Sequence, residues 1–332
     1  MAPLPRFTDS PALAAEALRA DGLVALPTET VYGLGGLASS PAAVARIFAT
    51  KGRPTTHPVI VHVRDSAAVD AWAKDVPDTA RLLVDAFWPG PLTIVVPRAE
   101  HVSDAITGGQ PTIALRAPSH PMFAAVLTEL TSETLPAPGI AAPSANRFGQ
   151  VSPTTAAHVN DELGTHLRAD DLILDGGECA VGVESTIVIC RQSDVVIARS
   201  GGITEAQLRE VVPVADSAAT RSTPRVPGSL ASHYAPTAQV RFVTSNAELS
   251  AVRDELSLNA DVGVVCLACD SPAAPGHWIR LATPASVEQY AREVYAALRR
   301  ADELGLTHVV ALAPPDTGIG TAIRDRLQRA SS

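Results

Sequence analysis

The sequence predicts an α/β protein in two parts: a larger domain built on a twisted, largely mixed or parallel open sheet with helices, and a small Rossmann-like α/β domain behind it. Three observations lead there. Short apolar runs rich in β-branched residues alternate with helix-period segments along the chain. Glycine and proline punctuate nearly every change of pattern. Residues 213–238 carry Pro213, Pro224, Pro227 and Pro236 among Ser, Thr and Ala, which is linker composition, so the 332 residues divide into 8–212, a linker over 213–238, and 239–330.

The elements follow in order. Residues 8–20 read as a helix with Thr8, Asp9 or Ser10 as cap and Leu13, Ala14, Ala17 and Leu18 on one face. Leu23 to Leu26 is a short strand stopped by Pro27, and the cluster Gly33, Gly35 and Gly36 suits a sharp turn or a close approach to a ligand. A helix starts near Ser40 with Pro41 in its first turn, buries Val44, Ile47 and Phe48, and ends at Lys51-Gly52-Arg53-Pro54. The strand Pro58 to Val63 follows, then helical regions at 66–73 and 78–87, and the strand Leu92 to Pro97 behind Trp88-Pro89-Gly90-Pro91. Thr112 to Arg116 is a strand whose Thr112, Ala114 and Arg116 share one face, as in a lined cleft.

After a helix at 120–130 and a polar loop at 131–139, Ile140 leads through Ala142 into the turn Ser144-Ala145-Asn146. Ser152 is expected to cap the next helix, where a hydroxyl at a helix N-terminus serves either as a plain cap or as an anion site. Strands are expected at 172–174, 183–189 and 195–199, and a helix at 203–211. His233 and Tyr234 sit in the linker, which has no core of its own, so the linker is expected to lie against a surface. Beyond it come strands at 240–243, 262–267 and 308–312 and helices at 247–258, 286–304 and 321–328. The turn Gly318-Ile319-Gly320 is either an ordinary helix start or a phosphate cradle.

Composition narrows the function. Net charge is -9 with a pI near 5.5, unlike a protein that coats nucleic acid, so no stable nucleic-acid binding is expected. No run of about 18 apolar residues and no leader pattern is present, so the expectation is a cytoplasmic protein with no membrane partner. Four cysteines include one Cys-x-x-Cys, Cys266 and Cys269, with no second pair to complete a zinc ribbon. Of 26 cationic side chains only Lys51 and Lys74 are lysines. Lys51 beside Arg53 therefore places a compact ammonium next to a planar guanidinium, as polyphosphate handling often requires. The plainer alternative is that both complement a helix dipole.

Taken together, Pro27-Thr28-Glu29-Thr30-Val31-Tyr32-Gly33-Leu34, Lys51-Gly52-Arg53-Pro54, Pro58 to His62, Trp88 to Thr93, Ser144-Ala145-Asn146, Asp175-Gly176-Gly177 and Val183-Glu184-Ser185-Thr186 resemble the Sua5/YrdC family, the threonylcarbamoyl-AMP synthases. His233-Tyr234-Ala235-Pro236 and Gly318 to Arg329 resemble the linker and last segment of the long Sua5 type. The resemblance implies a YrdC-like catalytic domain, a linker that acts as a lid, and a Sua5 C-terminal domain. It implies a nucleotidyltransferase that turns L-threonine, bicarbonate or CO2, and ATP into threonylcarbamoyl-AMP and pyrophosphate. That is the first step of the t6A modification of adenosine 37 in tRNA, with proteins that transfer the threonylcarbamoyl group to tRNA as downstream partners.

By the same resemblance Thr30, His62, Arg116, Ala142 and Ser185 hold threonine. Arg53, His57, Thr112, Ser144, Ser152 and Arg199 lie on ATP, Lys51 and Asn146 complete the Lys-x-Arg and Ser-x-Asn pairs near the phosphates, and Tyr234 closes over the site. Lys51, Arg53, Ser144 and Asn146 form the catalytic set. Mg2+ is expected to arrive with ATP, with no dedicated metal site. His57 stands where the family often has Asn, Phe148 where it has a small polar residue, Ser200 where it has Pro, and Ser229 to Ser232 replace a more aromatic and basic stretch. An RNA- or ribosome-binding module without catalysis is the alternative from another class. A carbamoyl-transfer machine with zinc-finger or kinase-like additions is disfavoured because the chain has neither.

Overall fold

The computed structural model describes residues 6–215, 224–228, 234–256, 261–266 and 278–332. The chain packs as two compact units. The first comprises Met1–Phe148, Pro153–Ala180 and Glu184–Ser229, the second Gly149–Ser152, Val181–Val183 and Leu230–Ser332.

The first unit begins with β1 (Arg6–Thr8), α1 (Pro11–Arg19), β2 (Val24–Leu26) and β3 (Gly33–Leu37). Ser10 caps α1 through its hydroxyl, and Pro11 occupies the first turn. Next come α2 (Pro41–Lys51), β4 (Ile60–His62), a 3-10 turn at Ser66–Ala68, α3 (Val69–Trp72), α4 (Asp78–Phe87) and β5 (Leu92–Pro97). They are followed by α5 (Asp104–Thr107), β6 (Thr112–Arg116), α6 (Pro121–Leu130) and β7 (Ile140–Ala141). The unit closes with α7 (Ala156–Leu163), β8 (Leu172–Leu174), β9 (Thr186–Cys190), β10 (Val195–Arg199) and α8 (Glu205–Arg209).

Its strands form a ten-stranded sheet in the order β1-β8-β2-β3-β7-β4-β6-β5-β9-β10. The sheet is mixed: β4 pairs parallel with β6 but antiparallel with β7, and β5 pairs parallel with β9 but antiparallel with β6. On one face Val61, Ile94, Ile113 and Leu115 join the main core with Val44, Ile47 and Phe48 of α2. On the other, α1 and α6 cover Val24, Leu26, Ile140 and Leu174, while Ile60, Ala114 and Ile187 form a smaller cluster. Alternation along β4 and β6 therefore turns His62 and Arg116 away from the main core. They share that second face with Ile60 and Ala114.

Three local readings change. Gly33, Gly35 and Gly36 form no turn: they lie in β3. A Cβ on Gly35 would stand 2.7 Å from Leu26 Cδ1 and 2.9 Å from Ile140 Cγ2, so packing between sheet neighbours requires glycine there. The cap of α7 is Thr155, whose hydroxyl accepts from His158 N at 3.1 Å, and not Ser152. The strand expected from Val183 starts at Thr186, and β1, β3, α5 and the later strand at 279–282 escape pattern reading because they are short or lack apolar alternation.

The second unit contains β11 (Gln239–Val243), α9 (Asn246–Glu255), β12 (Val262–Val265), β13 (Ile279–Ala282), α10 (Val287–Glu303), β14 (His308–Leu312) and α11 (Gly320–Ala330). The strand order β11-β14-β12-β13 is parallel throughout, as the small Rossmann-like reading requires. Helix α10 buries Tyr290, Ala291, Val294, Tyr295 and Leu298, and the Tyr290 hydroxyl donates to Leu312 O at 2.8 Å. Tyr234, expected to lie against a surface, is buried and stacked on Tyr295 at 5.7 Å, with the Arg326 guanidinium 5.2 Å from its ring centroid. Cys266 is buried, while Cys269 and His233 fall outside the described residues. A Cβ on Gly320 would stand 2.0 Å from Pro315 O, a packing reason for that glycine. No described helix is long and apolar enough to cross a membrane.

Candidate active site

The turn after β2 is built by its own hydroxyls. Thr28 Oγ1 donates to Val31 O at 2.7 Å, accepts from the backbone N–H groups of Thr30 and Val31, and lies 2.8 Å from Thr30 Oγ1. This side-chain turn fixes Glu29 and Thr30, both buried. The parallel register of β4 and β6 sets His62 opposite Arg116, and Ala142 N donates to Ile60 O at 3.0 Å, which brings the end of β7 to the same place.

Arg116 and Glu29 form a buried ion pair, with Arg116 Nη2 2.7 Å from Glu29 Oε1 and side chains 4% and 9% exposed. Ser119 N donates to the other carboxylate oxygen at 3.2 Å, and Arg116 Nε donates to Gly90 O at 3.4 Å. Arg116 Nη2 and Glu29 Oε1 are each other's partner, and both atoms, like His62 Nδ1, are shut off from solvent. The pair is held by charge, and each member has a further backbone partner. Burial, helped by the Arg116 charge, pushes His62 down to about 3, so the imidazole is neutral. Its ring packs on Phe123 with centroids 5.2 Å apart.

Ser185 precedes β9 and is tied to the end of β10. Its hydroxyl is 2.8 Å from Thr93 Oγ1 and accepts from Arg199 Nη2 at 3.1 Å, while its carbonyl accepts from Arg199 Nε and Nη2. Arg199 Nη1 also donates to Pro227 O at 3.1 Å.

A second set of polar groups surrounds the C-terminus of α2, where Gly52 ends the helix at φ 63. The Lys51 ammonium is 2% exposed and donates to Ser144 O at 2.5 Å and to Asn146 O. Burial first, then the charges of Arg53 and Arg147, hold it well below the usual lysine range, against an opposing pull from Glu162. Arg53 Nη2 donates to Pro58 O at 2.8 Å, and its guanidinium lies 5.7 Å from the Phe148 ring centroid. His57 meets the same ring edge-on at 5.5 Å, and burial followed by the charges of Arg53 and Arg225 lowers its pKa. The two departures from the family pattern, His57 and Phe148, are thus one packed pair.

Within the first unit the structure therefore gathers Thr30, His62, Arg116 and Ala142 at one place, and Lys51, Arg53, His57, Ser144 and Asn146 at another. Ala142 and Asn146 are four residues apart in the chain, so at most about 14 Å separates their Cα atoms. Ser185 and Arg199, expected on different substrates, bind each other. Thr112 stands half-buried at the opposite end of β6 from Arg116. Ser152 and Tyr234 belong to the second unit.

Pattern reading passed over Glu29 and Thr93. A usable signal existed for Glu29: a carboxylate in a stretch that is otherwise apolar or hydroxylic must be paired once buried, and Arg116 is a cation at a strand end. Thr93 carries no such signal, since a threonine in a strand is ordinary.

The Sua5–YciO–YrdC model, described as telomere recombination, matches residues 16–201, and the model for the threonylcarbamoyl-AMP synthase C-terminal domain matches residues 203–332. The chain belongs to the Sua5/YrdC family. It is 37% identical to the threonylcarbamoyl-AMP synthase of Bacillus subtilis over 96% of this chain and 92% of that one. It is 35% identical to the threonylcarbamoyl-AMP synthase of Pyrococcus abyssi over 96% and 93%. The structure of P. abyssi Sua5 complexed with L-threonine aligns with a TM-score of 0.85 at 33% identity, covering 100% of this chain and 98% of that one. Membership includes the C-terminal domain of the long Sua5 type, since both models match.

Proposed function

We propose that this chain is an L-threonylcarbamoyladenylate synthase, an enzyme of the nucleotidyltransferase class. It joins L-threonine and bicarbonate or CO2 to the AMP moiety of ATP, releases pyrophosphate, and supplies the adenylate for t6A formation in tRNA. The observation that carries the reading is the presence of two polar groups in one unit: a buried cluster of Glu29, His62 and Arg116, and a cationic corner at Lys51 and Arg53. Family membership and a relative bound to L-threonine give that pairing its chemistry.

In this reading Arg116 takes the threonine carboxylate. Thr30, neutral His62, Ala142 and Ser185 surround the rest of the amino acid, and a hydrogen bond from the β-hydroxyl rejects analogues that lack it. The threonine ammonium gives up a proton to solvent, its nitrogen bonds to the carbon of bicarbonate with loss of water, and one carbamate oxygen then attacks the α-phosphorus of ATP. The bond to the β-phosphate oxygen breaks, and pyrophosphate leaves with that electron pair. Lys51 and Arg53, with Ser144 and Asn146 setting the position of the lysine, stabilise charge on the phosphoryl oxygens, and Arg199, Thr112 and His57 border the nucleotide. Mg2+ arrives on the ATP phosphates, and transfer proteins pass the adenylate to tRNA.

The test is incubation of the full chain with ATP, Mg2+, L-threonine and 13C-bicarbonate, with omission controls. Labelled threonylcarbamoyl-AMP detected by mass spectrometry only in the complete mixture is the expected result. An ATP turnover that proceeds without threonine or bicarbonate contradicts the reading.

A further inference from the structure

The linker carries a cation that the substrate roles above leave unused. Residues 225–227 belong to the first unit and lie on it as a strap. Gln110 clasps the strap by its backbone: Arg225 N donates to Gln110 Oε1 at 2.7 Å, and Gln110 Nε2 donates to Arg225 O at 3.0 Å. Val226 is buried in one cluster with Ile60, Ala114 and Ile187, and Pro227 O accepts from Arg199 Nη1 at 3.1 Å. The strap thus runs among residues placed on the border of the nucleotide: it is bonded to Arg199, and Gln110 stands just before Thr112 in the chain.

The clasp accounts for the backbone of Arg225 but not for its side chain. The residue is exposed, and its guanidinium donates through Nη2 to Gly108 O at 3.1 Å. Gly108 in turn is packed on the cationic corner. A Cβ there would stand 2.3 Å from Thr56 O, so no side chain fits, and Val59 N donates to Ile106 O at 2.9 Å. Arg225 is therefore set beside the segment that carries His57, and its charge, after burial and the charge of Arg53, helps to lower the His57 pKa. Among the described residues Arg225 has no carboxylate partner. Like charges gathered at one corner repel, and an anionic ligand relieves that repulsion.

We infer that Arg225 is a substrate-binding residue, a cation that the linker supplies to the triphosphate of ATP, and that Gln110 is the positioning residue that holds it there. This deepens the threonylcarbamoyl-AMP synthase reading and rests on it. The strap is then more than a tether between the two halves of the chain, because one of its side chains binds substrate.

The experiment is calorimetric titration of the full chain with ATP and Mg2+ at low and at high salt. Arg225→Gln removes the charge and keeps the clasp, because Gln110 holds the main chain of residue 225. Affinity for ATP should fall about tenfold at low salt, the scale of one charge-assisted hydrogen bond, and the gap from wild type should close to about twofold at high salt. Arg225→Lys, which keeps the charge, should stay within about threefold of wild type. Gln110→Ala should also weaken ATP, and adding it to Arg225→Gln should weaken ATP no further, since the clasp acts through the cation. A tether alone predicts either no loss, or a loss that is equal for Arg225→Gln and Arg225→Lys and the same at both salt concentrations. Any of these results overturns the inference and leaves the synthase reading intact, as do additive losses for the role of Gln110. Failure of the wild-type chain to bind ATP overturns both.

Discussion

The threonine group and the Lys51 corner are built on opposite principles. At the first, Glu29, His62 and Arg116 are fixed by strand register and a hydroxyl-built turn, and the charges of Glu29 and Arg116 pair with each other. At the second, cations are already engaged: Lys51 donates to the carbonyls of Ser144 and Asn146, and Arg53 to that of Pro58. A site for a neutral zwitterion can cancel its own charges in a buried ion pair. A site for polyphosphate must hold uncancelled positive charge before the substrate arrives, and carbonyl dipoles do that without neutralising it.

The largest effect should come from the cationic corner. Lys51→Met keeps the apolar stem and removes the charge, and pyrophosphate release in steady-state assays should fall about 1,000-fold, the loss typical of one group that stabilises transition-state charge. An unchanged circular dichroism spectrum separates this from unfolding. The threonine group should respond differently: Arg116→Lys keeps the charge but loses the planar fork, so KM for threonine should rise about 10- to 100-fold while KM for ATP stays within about twofold. Equal changes in both constants would show that the two groups are not separate.

How much of this was legible beforehand depended on whether a residue's role is local. Period-two alternation put Thr112, Ala114 and Arg116 on one face, and Ile113 and Leu115 do lie in the opposite core. Ser40, Gly52 and Pro41 act within their own helix, so its limits could be read from sequence. Contacts between distant segments could not be read this way. Gly35 is glycine because Leu26 and Ile140 crowd it, and Ser185 is tied to Thr93 and Arg199 through sheet neighbours far away in sequence. Likewise His57 and Phe148 stood as two unrelated departures until the fold put one ring against the other.

Acid should distinguish the groups by stability. As pH falls below the ordinary histidine value of 6.5, the unfolded chain takes up a proton that buried His62 refuses until about 3. The folded pKa is the lower one, so His62 costs nothing above pH 6.5, and stability falls by about 1.4 kcal/mol per pH unit below it. Urea midpoints measured from neutral to mildly acid pH should show this slope in the wild-type chain and lose it in His62→Gln. An unchanged slope would mean that His62 is not the group responsible.

The smallest effect belongs to His57→Asn, which restores the residue common in the family. Loss of one ring contact with Phe148 should cost about 0.5–1.5 kcal/mol in thermal or urea unfolding. KM for ATP should change by less than about threefold, since Arg53 keeps its own carbonyl partner.

The separation of the two groups is tested most directly by threonine binding to Lys51→Met, measured by calorimetry without ATP. The account predicts a dissociation constant within about twofold of the wild-type value, because the threonine group is fixed by its own strands and turn. A tenfold or larger loss of threonine affinity in a folded Lys51→Met chain would contradict it.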